Sequence, residues 1–253
     1  MILAFLGALL VGLSLGLLGS GGSILTVPVL IYLLDQPEKV AIAGSLAIVA
    51  GIAATGAIPY GIQRRIDWRS VAYFAPPGMI GTYGGAWIAA FVSGTLQLTL
   101  FALVMLAAAW MMFRPHEAPL EPVQRAYWKI AIDGLVVGVI TGLVGVGGGF
   151  LIVPALVILG GLPMQRAVGT SLVIITLKSL AGFYKYLGVL AAAGLALDWS
   201  VLAIMTGVGA IGSLVGNAVS GRLPQAALKR GFSVFLVLMA SFILWRNLPT
   251  LIG

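Results

Sequence analysis

The chain has 253 residues, of which 60% are hydrophobic and 8% charged, against about 45–50% apolar and about a quarter charged in a typical soluble domain. This composition excludes a water-soluble globular enzyme, and the absence of cysteine excludes disulfides, iron–sulfur ligation and thiol catalysis. With a single histidine, His116, in a polar stretch, no zinc or haem site is indicated, and no cofactor or metal is expected. The net charge is +7, but the basic residues sit in short loops between apolar spans, where positive charge records topology and not nucleic-acid binding.

Taken in chain order, the first segment, 2 to 34, is apolar and broken by glycines. Residues 1 to 18 carry no positive n-region and no small-residue cleavage site, so no signal peptide is expected. Ordinary spans of about 20 residues are predicted at 40 to 62, 70 to 92 and 95 to 113. The polar stretch 114 to 126 follows as a linker. A second glycine-broken segment runs from 130 to 160, and further spans are predicted at 167 to 191, 199 to 220 and 228 to 246. Each broken segment, as a straight helix, would measure about 45–50 Å against a hydrocarbon core of about 30 Å. Each must therefore break or turn.

The breaks are Gly19-Ser20-Gly21-Gly22-Ser23 and Gly145-Val146-Gly147-Gly148-Gly149. At an offset of 126, residues 12 to 48 match 138 to 174 at 16 of 37 positions, with a shared frame of glycines and the prolines Pro28/Pro154 and Pro37/Pro163. Such a frame marks an internal duplication. The register then shifts by five, pairing Asp67-Trp68 with Asp198-Trp199. The expected organisation is a membrane repeat over 1–113, a cytoplasmic linker over 114–126 and a second membrane repeat over 127–253.

Charge discriminates between two topologies. If each broken segment crosses once, eight basic residues fall inside and five outside; if each turns back as a re-entrant hairpin, the split is ten inside against three (Lys39, Lys185, Arg246) outside. Positive-inside orientation favours the second arrangement. A tilted broken helix that crosses once stays open at this stage. The expected fold is thus an all-α polytopic membrane protein of two homologous repeats, inverted, each with a glycine-broken re-entrant or discontinuous helix plus three transmembrane helices.

Irregular backbone survives at membrane depth only where protein or a polar cavity covers it. A helix restarting after a break aims free N–H groups and a positive dipole end into the membrane, a pattern that holds anionic groups in secondary transporters. Pro28 and Pro154 are expected in the first turn of each restarted helix. All ten residues of the two breaks are therefore candidate ligands. Lys178 lies near the middle of its span, where an ammonium costs at least ~2.5 kcal/mol on insertion scales, and no acidic residue occupies the middle of any full span. An anion is its natural partner. Ser45, Thr170 and Ser171 follow the breaks on the next helix of each repeat, and Asn217 lies on a later span; all four are further candidates. Trp68, Trp110, Trp128, Trp199 and Trp245 fall at span ends, as interfacial anchors do.

The paired Gly-Leu-Leu-Gly-Ser-Gly-Gly-Ser-Ile-Leu-Thr-Val-Pro at 16 to 28 and Gly-Leu-Val-Gly-Val-Gly-Gly-Gly-Phe-Leu-Ile-Val-Pro at 142 to 154, with Arg-Ala-Val-Gly-Thr-Ser-Leu at 166 to 172, resemble the sulfite exporter TauE/SafE family. The resemblance implies a multi-pass permease of the bacterial inner membrane that exports sulfite, sulfonates or a related small organic anion. Ser23 departs from the triple glycine of the second copy. The expected function is a secondary transporter working by alternating access, with the anion and the lipid bilayer as partners, no nucleic acid, and homodimerisation left open. The alternatives are an anion channel or a non-transporting partner subunit. An intramembrane hydrolase lacks a base near any serine, since His116 is in the linker.

Overall fold

The computed structural model describes residues 2–18, 22–113, 127–220 and 225–252, and every regular element among them is helical. Helix α1 (Ile2–Leu18) precedes the first break. Helix α2 (Gly22–Pro28) follows it and widens into a π-helical stretch, Val29–Leu33. Then come α3 (Glu38–Ile62), α4 (Trp68–Ile88) with a 3-10 turn at Ala89–Phe91, and α5 (Gly94–Phe113). The second half repeats the order: α6 (Tyr127–Val144), α7 (Gly149–Pro154) running into a π stretch at Ala155–Leu159, α8 (Met164–Ala192), α9 (Trp199–Ser220) and α10 (Gln225–Ile252). The linker, with His116, lies outside the described residues, as do Gly19, Ser20 and Gly21 of the first break.

Local sequence explains the boundaries. Pro37 and Pro163, both extended, stand immediately before α3 and α8. Asp67 caps α4 by accepting from the Ser70 N–H (3.2 Å), and Asp198 caps α9 by accepting from the N–H groups of Ser200 (2.9 Å) and Val201 (3.1 Å). The same aspartate opens the fourth helix of both halves.

Pro28 and Pro154 do not sit in a first turn, as expected from the sequence. The helices restart earlier, at Gly22 and Gly149, so each proline is the last α-helical residue before the π stretch. Proline has no N–H to donate to the carbonyl four residues back, and in each half the helix changes from α to π immediately after it.

The chain turns back at the first break. Gly22 lies against the Val11 carbonyl and Leu15, and a Cβ at Gly7 would meet Val29, so α2 and its π stretch run antiparallel alongside α1. Among the described residues, four helices are long and apolar enough to cross a membrane: Glu38–Ile62, Gly94–Met111, Gln165–Ala192 and Trp199–Val219. Of the other two predicted spans, α4 has an interior rich in Gly, Pro and Tyr, and α10 shows a shorter apolar stretch, Ser233–Asn247, among the described residues.

Helices α3 and α8 form the centre and run antiparallel, Tyr60 meeting Gly169 and Leu46 meeting Gly182. Glycines bring the flanking pairs together. In the α1–α9 seam, a Cβ at Gly12 would collide with the Gly209 carbonyl and one at Gly16 with that of Ser213. In the α4–α6 seam, Gly138 lies on the Gly78 carbonyl and Gly142 on that of Thr82. Close approach through small residues is the usual adhesive between membrane helices. Both seams are parallel, and the sequence offsets of 126 and 131 carry one onto the other with the halves exchanged. Helices α5 and α10 pair at the side. Large apolar side chains are widely exposed on the outside, among them Leu10, Ile80, Leu103, Ile211 and Leu238, as a lipid-facing surface requires. Trp68, Trp110, Trp128, Trp199 and Trp245 are likewise exposed.

Candidate functional site

The second break enters the centre of the bundle between α3 and α8. Gly145 and Gly148 both have φ near +73°, a conformation open to glycine at little cost. A Cβ at Gly145 would collide with Ile42, and one at Gly147 would meet Val49, Ile175 and the hydroxyl of Ser179. The break is closed by direct packing.

Its freed backbone groups are satisfied partly by Ser45 and Gln97 of the other half and partly from within its own half. The Ser45 hydroxyl donates to the Gly145 carbonyl and lies 2.8 Å from that of Ile42. The Gln97 side-chain amide donates to the Leu143 carbonyl (2.6 Å) and to the Tyr186 hydroxyl (2.9 Å), which is itself 3.2 Å from the Gly142 carbonyl. Gly142 and Leu143 are in the last turn of α6, whose carbonyls have no partner within the helix. The N–H groups of Gly145 and Val146 turn back to the Thr141 carbonyl (2.9 and 3.1 Å). The carbonyls of Gly142, Leu143 and Gly145 and the N–H groups of Gly145 and Val146 thus have partners within the protein, as irregular backbone at membrane depth requires.

Past the break, α7 holds α-helical geometry for only six residues. A dipole built from so few aligned peptide units is weaker than the full-length helix end expected from the sequence. The polar side chains therefore carry more of the site. Lys178 is 1% exposed, and its Nζ has no hydrogen-bond partner among the described residues. Its stem crosses Gly78 of α4, and its ammonium stands 6.0 Å from the centre of the Phe74 ring, at the outer limit of a cation–π contact. The neighbouring Ser179 hydroxyl is fully buried, also has no hydrogen-bond partner, and faces Gly147. Two adjacent residues of α8 thus present a cation and a hydroxyl with unused hydrogen-bonding capacity at the middle of the bundle.

The sequence candidates divide accordingly. Ser45 and Gly145 touch, Gly147 lies against the residue next to Lys178, and Gly148 and Gly149 complete the same break. Ser171 is buried and directs its hydroxyl to the Val168 carbonyl (2.8 Å). Gly22 and Ser23 are buried in the first turn of α2, which touches α7. Val146 is buried within an apolar cluster with Ile24, Val27 and Ile42, a packing role. Thr170 lies elsewhere, accepting from the Asp67 N–H (2.9 Å) and tying α8 to the α3–α4 loop. Asn217 is on the α1–α9 seam, its backbone against Gly16. Ser179 and Phe74 were not singled out by the sequence. Adjacency to a mid-span lysine was the one signal for Ser179, and Phe74 carried none.

Described residues that are helical in every regular element, an apolar exterior, four helices among them long and apolar enough to cross a membrane and a break covered by protein at the centre define a membrane protein of the transporter class. The comparisons agree. Residues 4–243 match the family described as "Sulfite exporter TauE/SafE", and the chain belongs to that family. Similar proteins include a "Probable membrane transporter protein" of Xylella fastidiosa (strain 9a5c), 31% identical over 96% of this chain and 95% of its own. One from Haemophilus influenzae is 27% identical over 94% and 96% respectively. The "Probable membrane transporter protein YunE" of Bacillus subtilis is 30% identical over 74% of this chain and 77% of its own. These names indicate a transporter, not an enzyme. No solved structure matches the chain significantly.

Proposed function

We propose that the protein is a secondary transporter that exports sulfite, a sulfonate or a related small organic anion across the bacterial inner membrane. The anion is held at Lys178 and Ser179 beside the second glycine break. The observation that carries this reading is the buried Lys178 ammonium, which has no hydrogen-bond partner among the described residues. An ammonium at bilayer depth without a counter-charge is costly, and an arriving anion removes that cost. A small oxyanion suits a buried cation, and the Ser179 hydroxyl, on the next residue of α8 but turned toward Gly147, is a donor on the side of the break.

The architecture we infer is a pair of inverted repeats. The antiparallel course of α1 and α2 supports re-entrant hairpins, and three crossings per repeat then start the second half on the opposite face. The seams that exchange halves support a two-fold relation between the repeats. Alternating access follows as rocking of one repeat against the other. The close packing of Gly147 against Val49 and Ile175 favours a carrier over an open channel. The anion moves down its own gradient and the membrane potential, or carries its proton with it.

Proteoliposomes preloaded with unlabelled sulfite test the reading. A carrier gives saturable counterflow of labelled sulfite, competed by sulfonates. Flux without saturation or counterflow would establish the channel reading, and no flux would remove sulfite as the substrate.

A further inference from the structure

Helical side chains lean toward the N-terminus of their own helix, so Lys178 points along α8 toward Met164, the end that also holds the 63–67 loop and the start of α6. The ammonium meets the face of Phe74, four residues nearer that end than Gly78. Beyond Phe74 is a small cleft lined by Ser70, Ile130, Asp133, Leu156 and Phe74 itself. These residues belong to the first turns of α4 and α6 and to the π stretch after α7, and all lie toward the same end of the bundle. Phe74 is 1% exposed. One ring therefore borders both the central lysine and the cleft at this end.

We propose that Phe74 is the gate that closes the Lys178 site from the face carrying Arg64, Arg65, Arg69 and Lys129, which the positive-inside bias makes cytoplasmic. The location of the anion rests on the function proposed above. The gate itself rests on the position of the ring. In the closed state the ring occupies the route from the cleft to the ammonium and makes a weak cation–π contact with it. Displacing it joins the cleft to Lys178, and the anion then takes over the ammonium from the aromatic face. Ser70 and Asp133 give that route a polar mouth, whereas the wall next to the lysine is aromatic. Phe74 acts by excluding water and solute from one side.

The chain contains no cysteine, so a single introduced thiol reports directly. The test uses Lys178→Cys and, separately, Ser179→Cys, each in the Phe74 and Phe74→Ala backgrounds. A membrane-impermeant thiol reagent is added to one face of oriented vesicles at a time. If the open form is a minor state of about 0.1–10%, removing the ring raises the rate of labelling from the Arg64 face about tenfold or more. Labelling from the opposite face stays within about twofold by the same population argument. Unchanged labelling from the Arg64 face, or an equal rise from both faces, would overturn the gate. Phe74→Leu keeps the core filled, and an intermediate rate there separates gating from collapse of the fold; labelling no faster than with Phe74 would count against the gate. Protection of Ser179→Cys by sulfoacetate reads anion binding independently: protection without a Phe74 effect overturns the gate alone, and a Phe74 effect without protection overturns the anion site alone.

Discussion

Replacing Lys178 by methionine separates stability from function. The side chain is 1% exposed, its ammonium has no hydrogen-bond partner, and the contact in view is the Phe74 ring at 6.0 Å. A charged residue at the centre of a spanning helix costs about 2.5–3.5 kcal/mol on insertion scales, and a cation–π contact at the limit of its range returns about 0.5–2 kcal/mol. Methionine has nearly the same length, is unbranched, and fills irregular space over Gly78 without a charge. We predict that Lys178→Met stabilises the fold by about 0.5–3 kcal/mol, the difference of those two terms, while abolishing transport. Thermal unfolding of detergent-solubilised protein, followed by intrinsic tryptophan fluorescence, reads the first effect, and uptake into proteoliposomes the second. A lower unfolding temperature would refute the reasoning, because it would mean that the lysine has a protein partner and is not waiting for a ligand.

Three further expectations follow from the same contacts. Ser45→Ala leaves the Gly145 carbonyl without its hydroxyl donor and should destabilise the protein by about 1–3 kcal/mol, the cost of an unmet buried polar group, read as a fall in unfolding temperature. Gly138→Ala forces a methyl onto the Gly78 carbonyl and should cost about 1–3 kcal/mol or more by overpacking. Gly84→Ala, with nothing within 4 Å of the new carbon, should instead be neutral or stabilise by about 0.5–1 kcal/mol. Equal effects of the two glycine substitutions would count against the seam. Single cysteines at Gln63 and Ala196, on the exposed loops that precede Asp67 and Asp198, should be labelled from opposite faces of the membrane if the repeats are inverted. Labelling from the same face would show repeats of the same orientation.

Much of the fold could be read in the sequence because membrane spans are written in composition. The predicted span 199 to 220 agrees with α9, and the others agree with their helices to within a few residues, apart from the longer α10. The breaks were legible because overlong apolar segments containing a doubled glycine frame cannot stay straight. What a restarted helix does next was less legible. Pro28 and Pro154 suggested a first turn, yet each stands at the end of its short helix, immediately before a π stretch. Hydroxyl roles were harder still. Ser45 and Thr170 occupy similar local sequences, but one caps a break at the centre and the other binds a loop at the end of the bundle. Only tertiary packing separates them. Ser179 passed unnoticed because a serine on a membrane helix usually satisfies itself on a carbonyl one turn back, and here it does not.

The central claim is that an anion binds at Lys178. Uptake of labelled sulfite into proteoliposomes containing wild type, Lys178→Met or Lys178→Arg tests it most directly, with equal amounts of folded protein confirmed in each preparation. The account predicts saturable uptake by the wild type, loss with methionine, and partial retention with arginine, which keeps the charge but changes its shape. Undiminished saturable uptake by the methionine variant would contradict it.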